Sequence, residues 1–369
     1  MKKRIEWIDI LRALSMGIVI VGHTAIKKKW KKVIYSFHMP LFFFISGLVF
    51  KNNESLSMKQ IIIKKFKAYI IPYFFMHLIA LPIWIINYKM LRTSESTLWE
   101  LIAGAFYSNN AVFDATTNAT WFITTLFLID ICFVFFYRLT KGRQIFLFPL
   151  IACFASLSFL ESYYLPDLNW PWHMEVVPVG ISLYYCGFLF MNFYKKHIHW
   201  FAFPRCLLLL LLIPVGYQLQ KSQIRVSMTI NRLGDPLHFY IVALSFTLSL
   251  LGIAMMIKRY KGFGFIYDQL DYVGKNTLLY IGIQIPIIRL FEAFFPVFDE
   301  GSSTYCYLLL AIFLFFAIIP INRFVVRFVP FVVSKGEVAL KDRGIMKGII
   351  LVFFIITAML ILLNYKMLL

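Results

Sequence analysis

The sequence predicts an all-α protein: a polytopic transmembrane helical bundle of about ten or eleven spans, with a cytoplasmic amino terminus. Three observations carry that expectation. Apolar residues make up 60% of the 369 and mean hydropathy is +0.76, whereas soluble domains are close to half apolar. Charged residues are only 15%, and they fall between apolar runs, as they do when lipid is the solvent. Lys and Arg are also shared unevenly between alternate loops.

In chain order, the apolar runs are 8–26, 36–50, 69–86, 121–137, 145–160, 176–192, 206–219, 237–257, 276–297, 305–321 and 348–364. A hydrocarbon core of about 30 Å needs roughly 20 helical residues, so 36–50 and 206–219 are short and expected inside the bundle or with snorkelling flanks. Leu98–Tyr107 is too short to span and is expected to lie in the interface or re-enter. With the amino terminus inside, the inner segments hold 23 of the 37 Lys and Arg, the outer segments hold 11, and three sit within or beside spans. That excess sets the orientation. Lys27–Lys32 is the outer exception: an attractor of anionic acceptor or lipid headgroups, or a tolerated turn.

No fixed-period repeat and no soluble appendage is visible. The chain therefore reads as one membrane domain over 1–369, with 346–369 an accessory last span. The net charge of +19 belongs to cytoplasmic loops and not to a nucleic-acid surface. Cys132, Cys153, Cys186, Cys206 and Cys306 lie in or beside apolar segments without metal-ligand spacing; they read as small hydrophobes, with no metal site or disulfide framework. No Ala-x-Ala site follows the first apolar run, which is expected to be retained as a helix.

Ionisable groups are costly inside a membrane, and the first span holds Asp9, Arg12 and His23. Eleven residues turn a helix through about three full revolutions, so Arg12 and His23 share one stripe, roughly 16 Å apart along the axis. Asp9 lies three positions before Arg12 and can pair with it. A guanidinium binds phosphate oxygens bidentately. An imidazole that titrates near neutrality suits base work on a hydroxyl. The plain alternatives are a snorkelling Arg12 paired to Asp9 and an interfacial, structural His23.

These residues resemble a known family. Arg4-Ile-Glu-Trp-Ile-Asp-Ile-Leu-Arg12, followed ten residues later by His23, is similar to the signature of the acyltransferase 3 family, nearest its fucose 4-O-acetylase-like sugar O-acetyltransferase branch. Tyr35-Ser-Phe-His-Met-Pro-Leu-Phe-Phe-Phe-Ile-Ser-Gly47 resembles the family's second-span motif. Trp121-Phe-Ile-Thr-Thr-Leu-Phe resembles its Trp-Phe-Leu span entrance, and Gly274-Lys-Asn-Thr-Leu-Leu-Tyr280 its late Gly-Lys-Asn-Ser/Thr motif. The motifs occur in order, within a family-like core of about 4–325.

The resemblance implies a multi-pass enzyme of a bacterial-type plasma (inner) membrane. It would move an acetyl group from acetyl-CoA to a hydroxyl of an extracytoplasmic glycan or glycolipid, with membrane lipids around it and no metal. His23 would be the catalytic histidine, with Arg12 and Asp9 in the same catalytic group. The donor phosphates would meet Arg12, Lys64, Lys65 and Lys67; His38 and Trp121 would stand on the acceptor side. Two departures stand out. Where the family often carries Arg-x-x-Arg, Lys65 fits the first position but Ala68 stands at the second, with Lys67 as its substitute. Where many relatives carry a late histidine, this chain has Gln284. A secondary transporter or exporter of a polysaccharide or its precursor is the competing class; the chain lacks the matched broken spans typical of such carriers.

Overall fold

The computed structural model describes residues 4–86, 96–222, 224–259, 264–294 and 303–328. The bundle is built from α1 (Glu6–His23), α2 (Lys28–Tyr35), α3 (His38–Leu48), α4 (Met58–Ile86), α5 (Leu98–Tyr107), α6 (Trp121–Leu139) and α7 (Gln144–Tyr164). It continues with α8 (Val177–Lys196), α9 (Leu212–Ser222), α10 (Pro236–Arg259), α11 (Gly264–Lys275), α12 (Thr277–Phe294) and α13 (Thr304–Phe328). No strand occurs among the described residues. The helices close the backbone's hydrogen bonds within each segment, as a span in hydrocarbon requires outside a closed barrel.

Five described helices are long and apolar enough to cross a membrane: Asn118–Leu139, Gln144–Tyr164, Pro171–Lys196, Pro236–Arg259 and Thr304–Phe328. Helices occupy ten of the eleven expected runs; 348–364 lies outside the described residues. The short run 206–219 begins as a 3₁₀ turn, Arg205–Leu211, before α9. The short run 36–50 is shorter still as a helix, because the chain breaks at Ser36–Phe37 and α3 starts only at His38. The break leaves Lys27–Lys32 on α2, a separate helix with no fully buried residue. A short basic helix carrying exposed Trp30 has the composition of an interfacial element. Leu98–Tyr107 is indeed a short helix, closed by a Thr97–Glu100 capping box. Among the cysteines, Cys206 is buried but Cys153 is exposed, so not all of them are core residues.

α1 is the centre of the bundle. It packs against α3, α10, α11, α12 and α13, and Trp7, Ile10, Leu11, Met16 and Ile20 on it are buried. α3 and α8 pack together most closely, and the sequence shows why. A Cβ on Gly47 would fall 1.8 Å from the Tyr184 carbonyl oxygen, and one on Gly187 would fall 2.0 Å from that of Phe44. The two glycines let each backbone press into the other, the device by which membrane helices gain dispersion contact.

A prediction follows from that contact. Gly47→Ala should push α3 from α8 and destabilise the protein by about 1–3 kcal/mol, read as a lowered thermal midpoint in detergent. Gly17→Ala, whose Cβ would meet Phe315 at an ordinary 3.8 Å, should leave the midpoint unchanged.

Candidate active site

The break between α2 and α3 places the site. The chain turns once after α1 and again at this break, so that His23, the last residue of α1, and His38, the first of α3, line one cavity of about 50 Å³. Trp121, the first residue of α6, and Gln284 in α12 complete its polar and aromatic lining, with Thr229 from the loop before α10. Three residues expected near the acceptor, His23, His38 and Trp121, are therefore together. His38 Nδ1 lies 2.9 Å from the Ile34 carbonyl oxygen. A carbonyl only accepts, so Nδ1 carries the proton and, in the neutral ring, Nε2 keeps its lone pair.

Gln284 is 0% exposed, and neither its amide nitrogen nor its oxygen has a hydrogen-bond partner among the described residues. Leaving a buried polar atom unpaired costs about 1–3 kcal/mol, and native structures rarely tolerate it. On the wall of a cavity beside two imidazoles, such an amide is an open donor and acceptor for a bound molecule.

Arg12 stands apart from this cavity, toward the other end of α1. Asp9, 1% exposed, is gripped by Arg4 through Nε–Oδ2 at 2.5 Å and a second N–H at 2.8 Å. Arg12 makes only one long contact with the same carboxylate, 3.3 Å. Most of the five guanidinium N–H groups of Arg12 are thus uncommitted among the described residues. α11 reaches this point because residue 274 is glycine: a Cβ there would sit 1.8 Å from the Asp9 carbonyl oxygen. The Gly-Lys-Asn motif is a structural joint. Asn276 donates to the Tyr272 carbonyl at 2.7 Å and its own carbonyl accepts from Asn322 at 3.0 Å.

The expected lysine cluster divides. Lys64 and Lys67 are exposed on the outer face of α4, whereas Lys65 turns inward to an ion pair with Asp130 of α6. Asp130, 2% exposed, also accepts from Tyr69 at 2.9 Å and from Tyr184 at 2.8 Å. Sequence reasoning passed over Asp130, although a lone carboxylate inside an apolar run is itself a signal. It also passed over His77, whose ring bonds Thr116 at 2.9 Å and Thr120 at 3.0 Å, and the pair His173–Glu175.

That pair sits in an irregular turn before α8, with Trp172 and His173 in the left-handed region at φ 59° and 50°. His173 Nδ1 lies 3.0 Å from Glu175, and both side chains are fully buried. The Glu175 carboxylate also accepts from the Asn109 amide at 3.2 Å and the Trp170 backbone N–H at 3.3 Å. The His173 ring packs 4.7 Å from the Trp121 ring, backing that side of the cavity. Nothing periodic in the sequence announces such a turn.

A larger cleft, of about 820 Å³, lies elsewhere, between α7, α8 and α10. Its wall on α7 belongs to the least buried of the long apolar helices, and it has the character of lipid-facing surface. No group of three His, Cys, Asp or Glu able to hold a metal occurs among the described residues.

A helical bundle solvated by lipid, with imidazoles gathered in an internal cavity and a guanidinium held by a single long contact down the same helix, defines an integral-membrane protein equipped for polar chemistry. The family model described as an acyltransferase domain matches residues 5–327. The chain belongs to the acyltransferase 3 family and is a membrane acyltransferase; the transporter alternative gives way to that assignment. No curated protein and no solved structure matches the chain.

The Asp130 node yields a prediction about stability. Asp130→Ala strands Lys65 and two tyrosine hydroxyls, and breaking one side of a buried pair costs about 3–5 kcal/mol. The expected outcome is a large fall in thermal midpoint, with Lys65→Met partly restoring it in the double variant.

Proposed function

We propose that this protein transfers an acetyl group from cytoplasmic acetyl-CoA to a hydroxyl of an extracytoplasmic glycan or glycolipid, in a bacterial-type plasma membrane. The observation that carries the reading is the meeting of His23, His38, Trp121 and Gln284 on one cavity, eleven residues along α1 from an underused Arg12. With the amino terminus inside, Arg12 faces the donor side and the cavity faces the acceptor side.

The residues divide the work. Arg12 binds a CoA phosphate, with Asp9 and Arg4 holding that end of α1 in shape. Lys64 and Lys67, exposed on α4, add positive potential at the entrance; Lys65 is engaged by Asp130 and contributes through position. The pantetheine arm runs up the bundle and brings the thioester to His23. His23 takes the proton of the acceptor hydroxyl as its oxygen forms a bond to the thioester carbonyl carbon. The carbon–sulfur bond then breaks, and the CoA thiolate leaves with the proton returned from the imidazolium. The Gln284 amide N–H donates to the carbonyl oxygen as charge builds on it. His38 accepts a hydrogen bond from the acceptor through Nε2, and Trp121, backed by His173, bounds the cavity as an apolar face.

The test is transfer from radiolabelled acetyl-CoA to glycans in membranes that carry the protein. Label in the glycan is expected; a folded protein that leaves none there contradicts the reading. His23→Ala should abolish transfer with its thermal midpoint preserved, and Arg12→Ala should raise the KM for acetyl-CoA about ten-fold or more. Full turnover in the first variant, or an unaltered donor dependence in the second, would remove that residue from the mechanism. Gln284→Leu discriminates function from packing. Removing two unpaired polar atoms should leave stability equal or higher, while transfer slows by about 10²-fold.

A further inference from the structure

The cavity at His23 holds about 50 Å³, space for a hydroxyl and an acyl carbonyl but not for a sugar ring. The body of a saccharide acceptor must therefore be recognised elsewhere. A second, polar pocket of about 250 Å³ is lined by Ser162, Asp167, Asn169, Asn231 and Arg232. Its size falls just below the roughly 300 Å³ at which drug-sized sites begin, which suits one sugar ring.

One segment lines both cavities. Met228 and Thr229 line the reaction cavity, and the next residues, 230–232, line the polar pocket. Thr229 and Asn231 are two residues apart, so their Cα atoms are separated by at most about 7.6 Å. The shared segment is a built turn. Ser227 and Arg232 exchange both backbone hydrogen bonds at 2.8 and 2.9 Å, and Asn231 takes a left-handed φ of 44°.

The chemistry of the pocket is that of polyol binding. Asn231 is 4% exposed; its amide nitrogen donates to the Ser158 carbonyl at 3.2 Å, but its amide oxygen has no partner among the described residues. Neither the Asp167 carboxylate nor the Arg232 guanidinium has a partner there either. A carboxylate and an amide oxygen accept from neighbouring hydroxyls, and a guanidinium donates to ring or hydroxyl oxygens. The frame is fixed around them: the Asn169 side chain donates to the Asp167 carbonyl at 2.9 Å, and the Asn169 carbonyl accepts from Tyr107 at 2.9 Å.

We infer that this pocket is a saccharide subsite, holding a non-reacting sugar of the acceptor while the hydroxyl to be acylated enters the cavity at His23. The inference rests on the glycan acceptor proposed above.

The experiment uses purified full-length protein in nanodiscs and, as probe, the total surface glycan released from the cells that carry it. Hydrogen–deuterium exchange reads binding without any turnover. Protection of 161–169 and 228–232 on adding the glycan is expected, and its reduction in Asp167→Ala and Arg232→Ala. Both side chains are exposed, and the exchange of the free variants verifies their folding. In the transfer assay, each variant should raise the half-saturating glycan level about ten-fold with maximal rate changed less than two-fold, and Arg232→Lys should recover part of the loss. Unaltered exchange at both segments overturns the subsite, as does a variant whose glycan dependence matches wild type. Protection with no transfer by wild type keeps the subsite and removes the transferase reading instead.

Discussion

Among the described residues the buried carboxylates Asp9, Asp130 and Glu175 are each answered by another side chain, and that constraint orders the polar interior. Asp9 and Asp130 are both almost completely buried, and an unpaired carboxylate in such surroundings would cost several kcal/mol. Arg4 answers the first, and Lys65 with two tyrosines answers the second. Asp9 holds the start of α1, and Asp130 joins α4, α6 and α8. Because the carboxylates are satisfied by neighbours, Arg12 itself is left with most of its donors open.

The same logic inverted marks the reaction cavity. There Gln284 has two polar atoms with no partner among the described residues, and in the neighbouring polar pocket the Asn231 amide oxygen is a third. A lipid-solvated protein that leaves such groups unpaired does so at a cost in stability, and a bound molecule that pairs them explains the cost. In the proposed reaction, the small volume at His23 serves chemistry and the larger polar volume serves recognition. The reacting atoms would be enclosed where water is excluded and electrostatic stabilisation is strong, and a sugar acceptor would be held where its hydroxyls can be read.

The bundle was legible in the sequence because hydropathy reports it directly: ten of the expected runs carry helices. Helix boundaries were less so, as where the chain breaks at Ser36–Phe37. In the site, the Arg12–His23 register follows from 3.6 residues per turn. What the register could not say is that the two ends serve different surroundings, one a carboxylate and the other a cavity. The inward turn of Lys65, away from Lys64 and Lys67, depends on Asp130 sixty-five residues later. The His173–Glu175 turn depends on left-handed backbone held by Asn109, Trp170 and Thr125. Such long-range pairings leave no periodic trace. Gln284 was read only as the loss of a titratable group; its value shows once burial strips it of partners.

The central claim is that the acyl group is handed over at His23. The most direct measurement is a cryo-electron microscopy structure with the non-transferable thioether analogue S-acetonyl-CoA. The account predicts the analogue's phosphates at Arg12 and its ketone oxygen within about 3 Å of His23 or Gln284. An analogue seated with its ketone on the far side of the bundle from His23, or outside the bundle altogether, would contradict it.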